Sequence, residues 1–167
     1  MIIALTEEIQ LIQETVRRFC DRELSYDYVR WMDDNVNFPP DELWQKVSDI
    51  GVFSAPVPVE YGGQGHGIIE NTLIYEEICR KSMSVALAVG ATVGFGVRFL
   101  VDLGTQAQKQ AYLPKIAAGQ LRTSMALTEP GGGTAILGSL SPRPRIAATT
   151  GASTAARSSS PGRIGPI

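Results

Sequence analysis

The stretch ALTEPGGGTAILGSLSPRPR, residues 126–145, changes character near its middle. Its first half resembles a strand that runs into three consecutive glycines, Gly131, Gly132 and Gly133. The backbone N–H groups of such a loop can point together at one anion, because no side chain intervenes. Its second half alternates proline with arginine and predicts no regular element. Taken alone, TEPGGGT is more often a plain turn than a cofactor loop, so the surrounding sequence has to decide.

Two common nucleotide sites are disfavoured by the residues around this loop. The loop lacks the lysine of a P-loop, and no G-x-G-x-x-G follows a predicted strand. The sequence therefore supports neither nucleoside triphosphate hydrolysis nor a Rossmann dinucleotide site.

Helical periodicity dominates the chain before the loop. Apolar residues recur at helical spacing from Leu5 to Leu24, and Thr6 is a candidate N-cap. Further helices are predicted over 38–51, 68–81, 84–103 and 104–119, the last one broken near Pro114. Strand-like sequence begins only at 121–128. The sequence thus predicts a mainly α chain that ends in the start of a sheet.

The predicted helix over 84–103 is apolar on nearly every face and is expected at the centre of the core. Small residues line it, which permits either close helix packing or a narrow ligand channel; packing is favoured because glycine weakens a helix unless something compensates. These residues are Ala86, Ala88, Gly90, Ala91, Gly94 and Gly96.

Composition excludes several function classes. The net charge is −2 and all acidic residues precede Ser141, which gives no electrostatic case for nucleic acid. Cys20 and Cys79 match no metal spacing and are expected to be buried free thiols. The start MIIALTEEIQ has no basic region typical of a signal peptide, and the uncharged run 85–97 is too short to span a bilayer. A cytoplasmic protein without a membrane span is expected.

Five motifs, in order, carry a resemblance to a known family. They are FPPDELW, PVEYGGQG, YEEI, GTQAQKQAYLPKIAAGQL and ALTEPGGGT. Together they closely resemble the N-terminal part of the acyl-CoA dehydrogenases, over nearly all of residues 1–140. The resemblance implies an up-and-down helical N-terminal domain over 1–120 and the start of a middle β domain with a flavin loop over 121–140. It also implies a homo-oligomer for the intact protein.

The activity implied by the resemblance is FAD-dependent α,β-desaturation of an acyl-CoA thioester, with electrons passed to an electron-transferring flavoprotein. A glutamate takes the α-proton and the β-hydrogen leaves as hydride to FAD. That base is expected in a C-terminal domain absent from this sequence, so the residues present include no catalytic one, and the chain is expected to be inactive alone. Glu129 is expected to support the loop.

The resemblance also implies a set of cofactor-binding residues. Four would line the flavin, with a hydroxyl contact from Thr128: Met125, Ala126, Leu127 and Thr128. Four would meet its phosphate side, with Thr134 also facing the CoA ester: Gly131, Gly132, Gly133 and Thr134. Ala135 stands where the family has Asp, which removes an acceptor for loop N–H groups.

The tail over 141–167 has no aromatic residue and no apolar period, which predicts disorder. A basic tail that binds nucleic acid is an alternative. A third interpretation fits better: codons for residues 147–167, shifted by two bases, can spell GDDWRVNGSKIFITGANRAD, which resembles the family's next β-domain segment. We hypothesise that the reading frame slips near Leu140, which leaves the chain truncated.

Other candidates have simpler interpretations. His66 in GGQGHG is expected at the surface, and Glu76 and Glu77 are expected to be solvated or paired. Trp31 and Trp44 are expected in the core or an interface. A second function hypothesis is a non-catalytic helical interaction module whose exposed apolar face binds a partner.

Overall fold

The structure, a computed structural model, describes residues 5–35 and 39–125. The chain divides into a helical unit, Met1–Ser124, and a second unit that begins at Met125. The helical unit contains the helices α1 Glu7–Glu23, α2 Tyr26–Asp34, α3 Asp41–Asp49, α4 Ile68–Lys81, α5 Met83–Gly90, α6 Arg98–Leu103 and α7 Gln106–Ala117. A π-helical segment, Ala91–Val97, joins α5 to α6, and a short 3-10 turn covers Val59–Tyr61. The predicted mainly helical fold is confirmed.

The first helix begins where its cap was predicted. The Thr6 side chain accepts a hydrogen bond from the Ile9 N–H at 3.3 Å. Helix α2 has no counterpart among the predicted elements, although it begins with the same device: the Ser25 hydroxyl accepts from the Tyr28 N–H at 3.2 Å. A capping side chain satisfies one of the free N–H groups of the first turn. Ser25 could therefore have predicted the start of α2.

The second predicted helix is confirmed as α3. It begins directly after Pro40 and is followed by Gly51, whose φ of +82° is the left-handed conformation that glycine adopts most easily. Buried Leu43, Trp44 and Val47 share its inner face.

The core lies mainly between α1 and α4, which pack together over much of their length. Val16, Phe19 and Cys20 contribute from α1, and Ile74 and Ile78 from α4. The same cluster includes Leu24, Met32 of α2 and residues of α3, of the segment that follows it, of the α5–α6 region and of α7: Leu43, Trp44, Val47, Val52, Phe53, Ala55, Val57, Val85, Ala86, Val89, Val93, Val97, Leu113 and Ile116.

The helix predicted over 84–103 exists, but it is less central than expected. Val85, Val89 and Val93 are buried, whereas one face is open. Leu87 is 67% exposed and Leu103 is 78% exposed. Within the described residues, the expectation that this helix lies at the centre of the core was therefore only partly correct.

This helical region is also longer than the uncharged run 85–97, which by itself is too short to span a bilayer. Met83–Leu103 is continuous over 21 residues and passes the length and composition test for a membrane span. That is weak support for a span, because core helices of soluble proteins pass the same test. Its Arg98 guanidinium pairs with Asp102 at 2.6 Å.

Helix α7 is not broken at Pro114, contrary to the prediction. It runs through the proline to Ala117, and Gly119 follows with φ +69°. Proline removes one N–H donor, and burial of Leu113 and Ile116 on either side holds the last turn to the core.

The predicted strand has only its first residues within the described chain. Residues 121–125 form no strand there, and the remainder of 121–128 lies outside the described residues. The tail over 141–167 lies outside them as well.

Candidate functional site

The chain entering the glycine loop is the part of the predicted site that the structure describes. Of the eight predicted cofactor-binding residues, Met125 alone is described, and its side chain is 36% exposed. The other seven lie outside the described residues, as do Glu129 and Ala135.

Residues 119–122 are anchored on α3. The Trp44 indole Nε1 donates to the Gly119 carbonyl at 2.8 Å, and the Arg122 guanidinium lies 4.5 Å above the Trp44 ring. Arg122 also donates to Asp41 Oδ1 at 2.6 Å. Trp44 is therefore a buried core residue whose indole N–H forms a hydrogen bond. This confirms the core, one of the two placements expected for it.

Thr123 is bound to the π-helical segment through Thr92. The Thr123 N–H donates to the Thr92 hydroxyl at 3.1 Å, and that hydroxyl lies 3.3 Å from the Thr123 carbonyl, to which it donates. The Thr123 hydroxyl donates in turn to the Thr92 carbonyl at 3.3 Å. Three hydrogen bonds thus join two residues that are 31 positions apart. The sequence analysis missed this pair, because neither threonine belongs to a recognised motif.

The glycines of this region have different roles. A Cβ on Gly96 would lie 1.9 Å from the Thr123 hydroxyl oxygen, so Gly96 is required for close approach. A Cβ on Gly90 would meet Tyr75 Cε1 at an ordinary 3.5 Å, whereas one on Gly94 would have nothing within 4 Å. Packing explains Gly96, and Gly94 borders open space. The ligand-channel interpretation of the small residues stays a prediction.

A cavity of about 520 Å³ lies beside Gly94, between the N-terminal part of α4 and the α5–α6 region. Its lining combines apolar and polar residues: Pro56, His66, Gly67, Ile68, Asn71, Tyr75, Val93, Gly94, Val97, Arg98 and Val101. The volume is within the range of small-molecule pockets in proteins.

The cavity wall also contains polar groups. The Tyr75 hydroxyl and His66 Nδ1 are buried and lack a hydrogen-bond partner within the described residues. Burial raises the pKa of Tyr75, which therefore stays protonated. Asn71 donates to the carbonyls of His66 and Gly67 at 3.2 and 2.6 Å. Apolar side chains, among them Val93, Val97 and Val101, make up much of the remaining wall.

The structure also describes His66, Glu76 and Glu77, whose surroundings were predicted from the sequence. His66 is half-buried and lines the cavity, so its expected surface position is only partly exposed. Glu76 is exposed, whereas Glu77 is buried and paired with Arg17, so the two alternatives apply to different residues. Arg17, through its side-chain hydrogen bond, lowers the pKa of Glu77.

The structure also describes the two cysteines and other side chains of the types that bind metal ions. Cys20 and Cys79 are both free; Cys20 is buried and Cys79 is half-buried. Among the residues that the structure describes, no cluster of three or more His, Cys, Asp or Glu could hold a metal ion.

Comparison with known proteins connects this geometry to a family. Residues 6–120 match the sequence model of the acyl-CoA dehydrogenase N-terminal domain. Isovaleryl-CoA dehydrogenase, mitochondrial, of Pongo abelii is 34% identical over 137 residues, which cover 81% of this chain and 32% of that protein. This chain thus spans about a third of the length of that relative. The cytoplasmic location stays a prediction, since that relative is named as mitochondrial.

Solved structures show the same similarity. The acyl-CoA dehydrogenase of Bacillus anthracis complexed with FAD aligns with a TM-score of 0.73 at 32% identity, over 80% of this chain and 22% of that one. A chain described with the electron transferring flavoprotein of Acidaminococcus fermentans aligns with a TM-score of 0.73 at 29% identity, over 81% of this chain and 35% of that one.

Proposed function

The chain belongs to the acyl-CoA dehydrogenase family, and from that premise we propose that it forms the N-terminal part of an FAD-dependent enzyme that desaturates an acyl-CoA thioester. One observation carries the proposal: a helical unit of this family leads directly into the glycine loop ALTEPGGGT. FAD, when bound, supplies the acceptor for the hydride that leaves the β-carbon.

In the proposal, residues of this chain bind FAD and the CoA ester. Met125, Ala126, Leu127 and Thr128 would line the flavin, with a hydrogen bond from the Thr128 hydroxyl. The N–H groups of 131–133 would bind the phosphate side, and Thr134 would also face the CoA ester.

The cavity beside Gly94 supports a substrate with an aliphatic acyl chain. Its volume is about 520 Å³, and its apolar lining residues, among them Val93, Val97 and Val101, would gain free energy by covering an acyl chain. Acyl-CoA and an electron-transferring flavoprotein are the proposed partners, with a homo-oligomer for the intact protein. None of the residues in this sequence is assigned as the catalytic base, so no turnover is expected from the 167 residues alone.

The test is a titration of the purified chain with FAD, followed by addition of isovaleryl-CoA. The flavin absorbance band should change on binding and shift again with the thioester, without the bleaching that reduction produces. A chain that leaves the flavin spectrum unchanged at every concentration would contradict the proposal.

An exposed apolar stripe favours a second candidate function, a helical module that binds a partner protein. Leu87, Phe95, Phe99 and Leu103 are all exposed on the α5–α6 region, and neighbouring exposed apolar residues mark interaction surfaces. Sedimentation of flavin-free chain distinguishes the candidates. A defined complex whose formation needs Leu103 and is indifferent to FAD would favour the module.

We also propose that residues 121–140 begin the middle β domain and that 141–167 are read in a shifted frame. The support is the back-translated sequence GDDWRVNGSKIFITGANRAD. Sequencing the encoding DNA decides this proposal. If no shifted frame of the codons for 147–167 encodes this continuation, the frame hypothesis is wrong.

A further inference from the structure

Thr92, Gly96 and Thr123 meet at the end of the helical unit, two residues before Met125. We propose that these three residues form a clamp that positions the chain entering the flavin loop, with Thr92 acting as a positioning residue through Thr123. The inference rests on the proposed function for its purpose and on hydrogen-bond geometry for its existence.

The hydroxyl of Thr92 forms hydrogen bonds with the backbone of Thr123 that a neighbouring strand would otherwise form. It accepts from the Thr123 N–H at 3.1 Å and donates to the Thr123 carbonyl at 3.3 Å, the two groups that a neighbouring strand would pair. Because 121–125 forms no strand within the described chain, this one side chain fixes both backbone groups of Thr123. Thr92 itself is almost fully buried, so its hydroxyl has a single position to offer.

Gly96 makes this approach sterically allowed. A Cβ there would lie 1.9 Å from Thr123 Oγ1 and 2.9 Å from Thr123 Cβ, distances that force displacement. Its backbone is helical, so the absence of a side chain, and no special φ, is what the site requires. Glycine weakens a helix relative to alanine, and the clamp supplies the compensation.

The π-helical segment contributes a third element. Thr92 and Gly96 both lie in Ala91–Val97, and the Thr92 carbonyl accepts a hydrogen bond from the Thr123 hydroxyl at 3.3 Å. π-helical turns are rare and occur frequently at functional sites. Here the segment presents a hydroxyl, a carbonyl and a bare Cα to one residue.

The contacts predict which substitutions release the chain. Thr92→Val keeps the shape and deletes the hydroxyl, whereas Gly96→Ala keeps the hydroxyl and displaces Thr123. Thr92→Ser should behave as the unaltered chain. Thr72→Val is the matched control, because the Thr72 hydroxyl donates only within α4, to the Ile68 carbonyl at 2.7 Å.

Hydrogen exchange of the full chain tests the clamp whether or not flavin binds. Exchange in the peptide covering 119–125 should accelerate about tenfold in Thr92→Val and in Gly96→Ala, which is the effect of losing one structural hydrogen bond. Thr92→Ser and Thr72→Val should leave it unchanged. Exchange in 119–125 that is equal in all five proteins would overturn the clamp.

Titration with FAD tests the positioning role separately. The unaltered chain, Thr92→Ser and Thr72→Val should share one Kd, and both clamp variants should bind about tenfold more weakly at unchanged helical content. FAD binding that is equal in every variant would overturn the positioning role and leave the proposed function intact. Failure of the unaltered chain to bind FAD would overturn the proposed function and the positioning role together, while the exchange result would still judge the clamp.

Discussion

The carboxylate of Glu77, which is only 2% exposed, accepts two hydrogen bonds from the guanidinium of Arg17, whose Nη2 and Nε lie 2.7 and 3.1 Å from its two oxygens. Gln13 and Arg80 each add a further hydrogen bond, at 3.0 and 3.2 Å. This carboxylate therefore joins α1 to α4 at the centre of the helical unit.

Glu77→Gln should destabilise the protein. The amide keeps the size of the side chain but loses its charge and turns one acceptor into a donor that faces Arg17. Because Arg17 is 51% exposed and can regain water, the expected loss is about 1–3 kcal/mol, smaller than for a fully buried pair. Urea unfolding followed by circular dichroism measures the free energy. Glu76→Gln, at the exposed neighbouring position, should change it by less than about 0.5 kcal/mol; equal effects would contradict the assignment.

Stability should fall in acid because of two carboxylates at this junction. Hydrogen bonds, first of all from Arg17, lower the pKa of Glu77, and those from Lys81 and Arg80 lower the pKa of Asp21 to about 2. The unfolded state binds these protons near the ordinary value of about 4. The stabilisation is therefore complete above that pH and is lost as the pH falls toward 2. Urea midpoints between pH 7 and pH 2.5 measure it, and a Glu77→Gln chain with an equally steep acid dependence would contradict this origin.

Gly119 and Gly62 form a matched pair with different surroundings. Both have positive φ, +69° and +83°, but a Cβ on Gly119 would lie 2.5 Å from the Ser48 hydroxyl, whereas one on Gly62 would have nothing within 4 Å. Gly62→Ala should cost only the conformational strain, about 1–2 kcal/mol. Gly119→Ala adds a clash, worth about 1–3 kcal/mol more. Equal losses in chemical denaturation would show that crowding at Gly119 is unimportant.

The two cysteines should differ in reactivity. Burial raises the pKa of the Cys20 thiol to about 11, so it is neither accessible nor ionised at pH 8. Cys79 is only half-buried. A thiol reagent applied to the native chain should label Cys79 first, and mass spectrometry of the peptides identifies the site. Guanidinium should make both residues react. Labelling of both at the same rate in the native state would contradict the burial of Cys20.

Local patterns predicted most of the helices, because a helix cap and an apolar period each depend on residues that are close together in the sequence. Thr6, the stop at Gly51 and the apolar stripe of α1 were each read from a short window. Helix α2 carries the same kind of cap at Ser25 and could have been found. The helix through Pro114 could not, since its last turn depends on the tertiary burial of Ile116.

The long-range features were beyond reach of a single sequence. The three hydrogen bonds between Thr92 and Thr123 join residues 31 positions apart, and no local pattern marks either residue. The same holds for the Trp44 indole, which bonds the Gly119 carbonyl 75 positions away. The glycine loop at 131–133 lies outside the described residues, and its cofactor role stays a prediction from resemblance.

We propose that the loop at 131–133 binds the phosphate side of FAD, and equilibrium titration with FAD measures this binding. Binding should be saturable, and Gly132→Val should weaken it at least about tenfold, because a side chain would block the approach of an anion to the backbone N–H groups. Gly151→Val, in the tail, should leave the Kd unchanged. Identical binding by both variants, or no saturable binding by the unaltered chain, would contradict it.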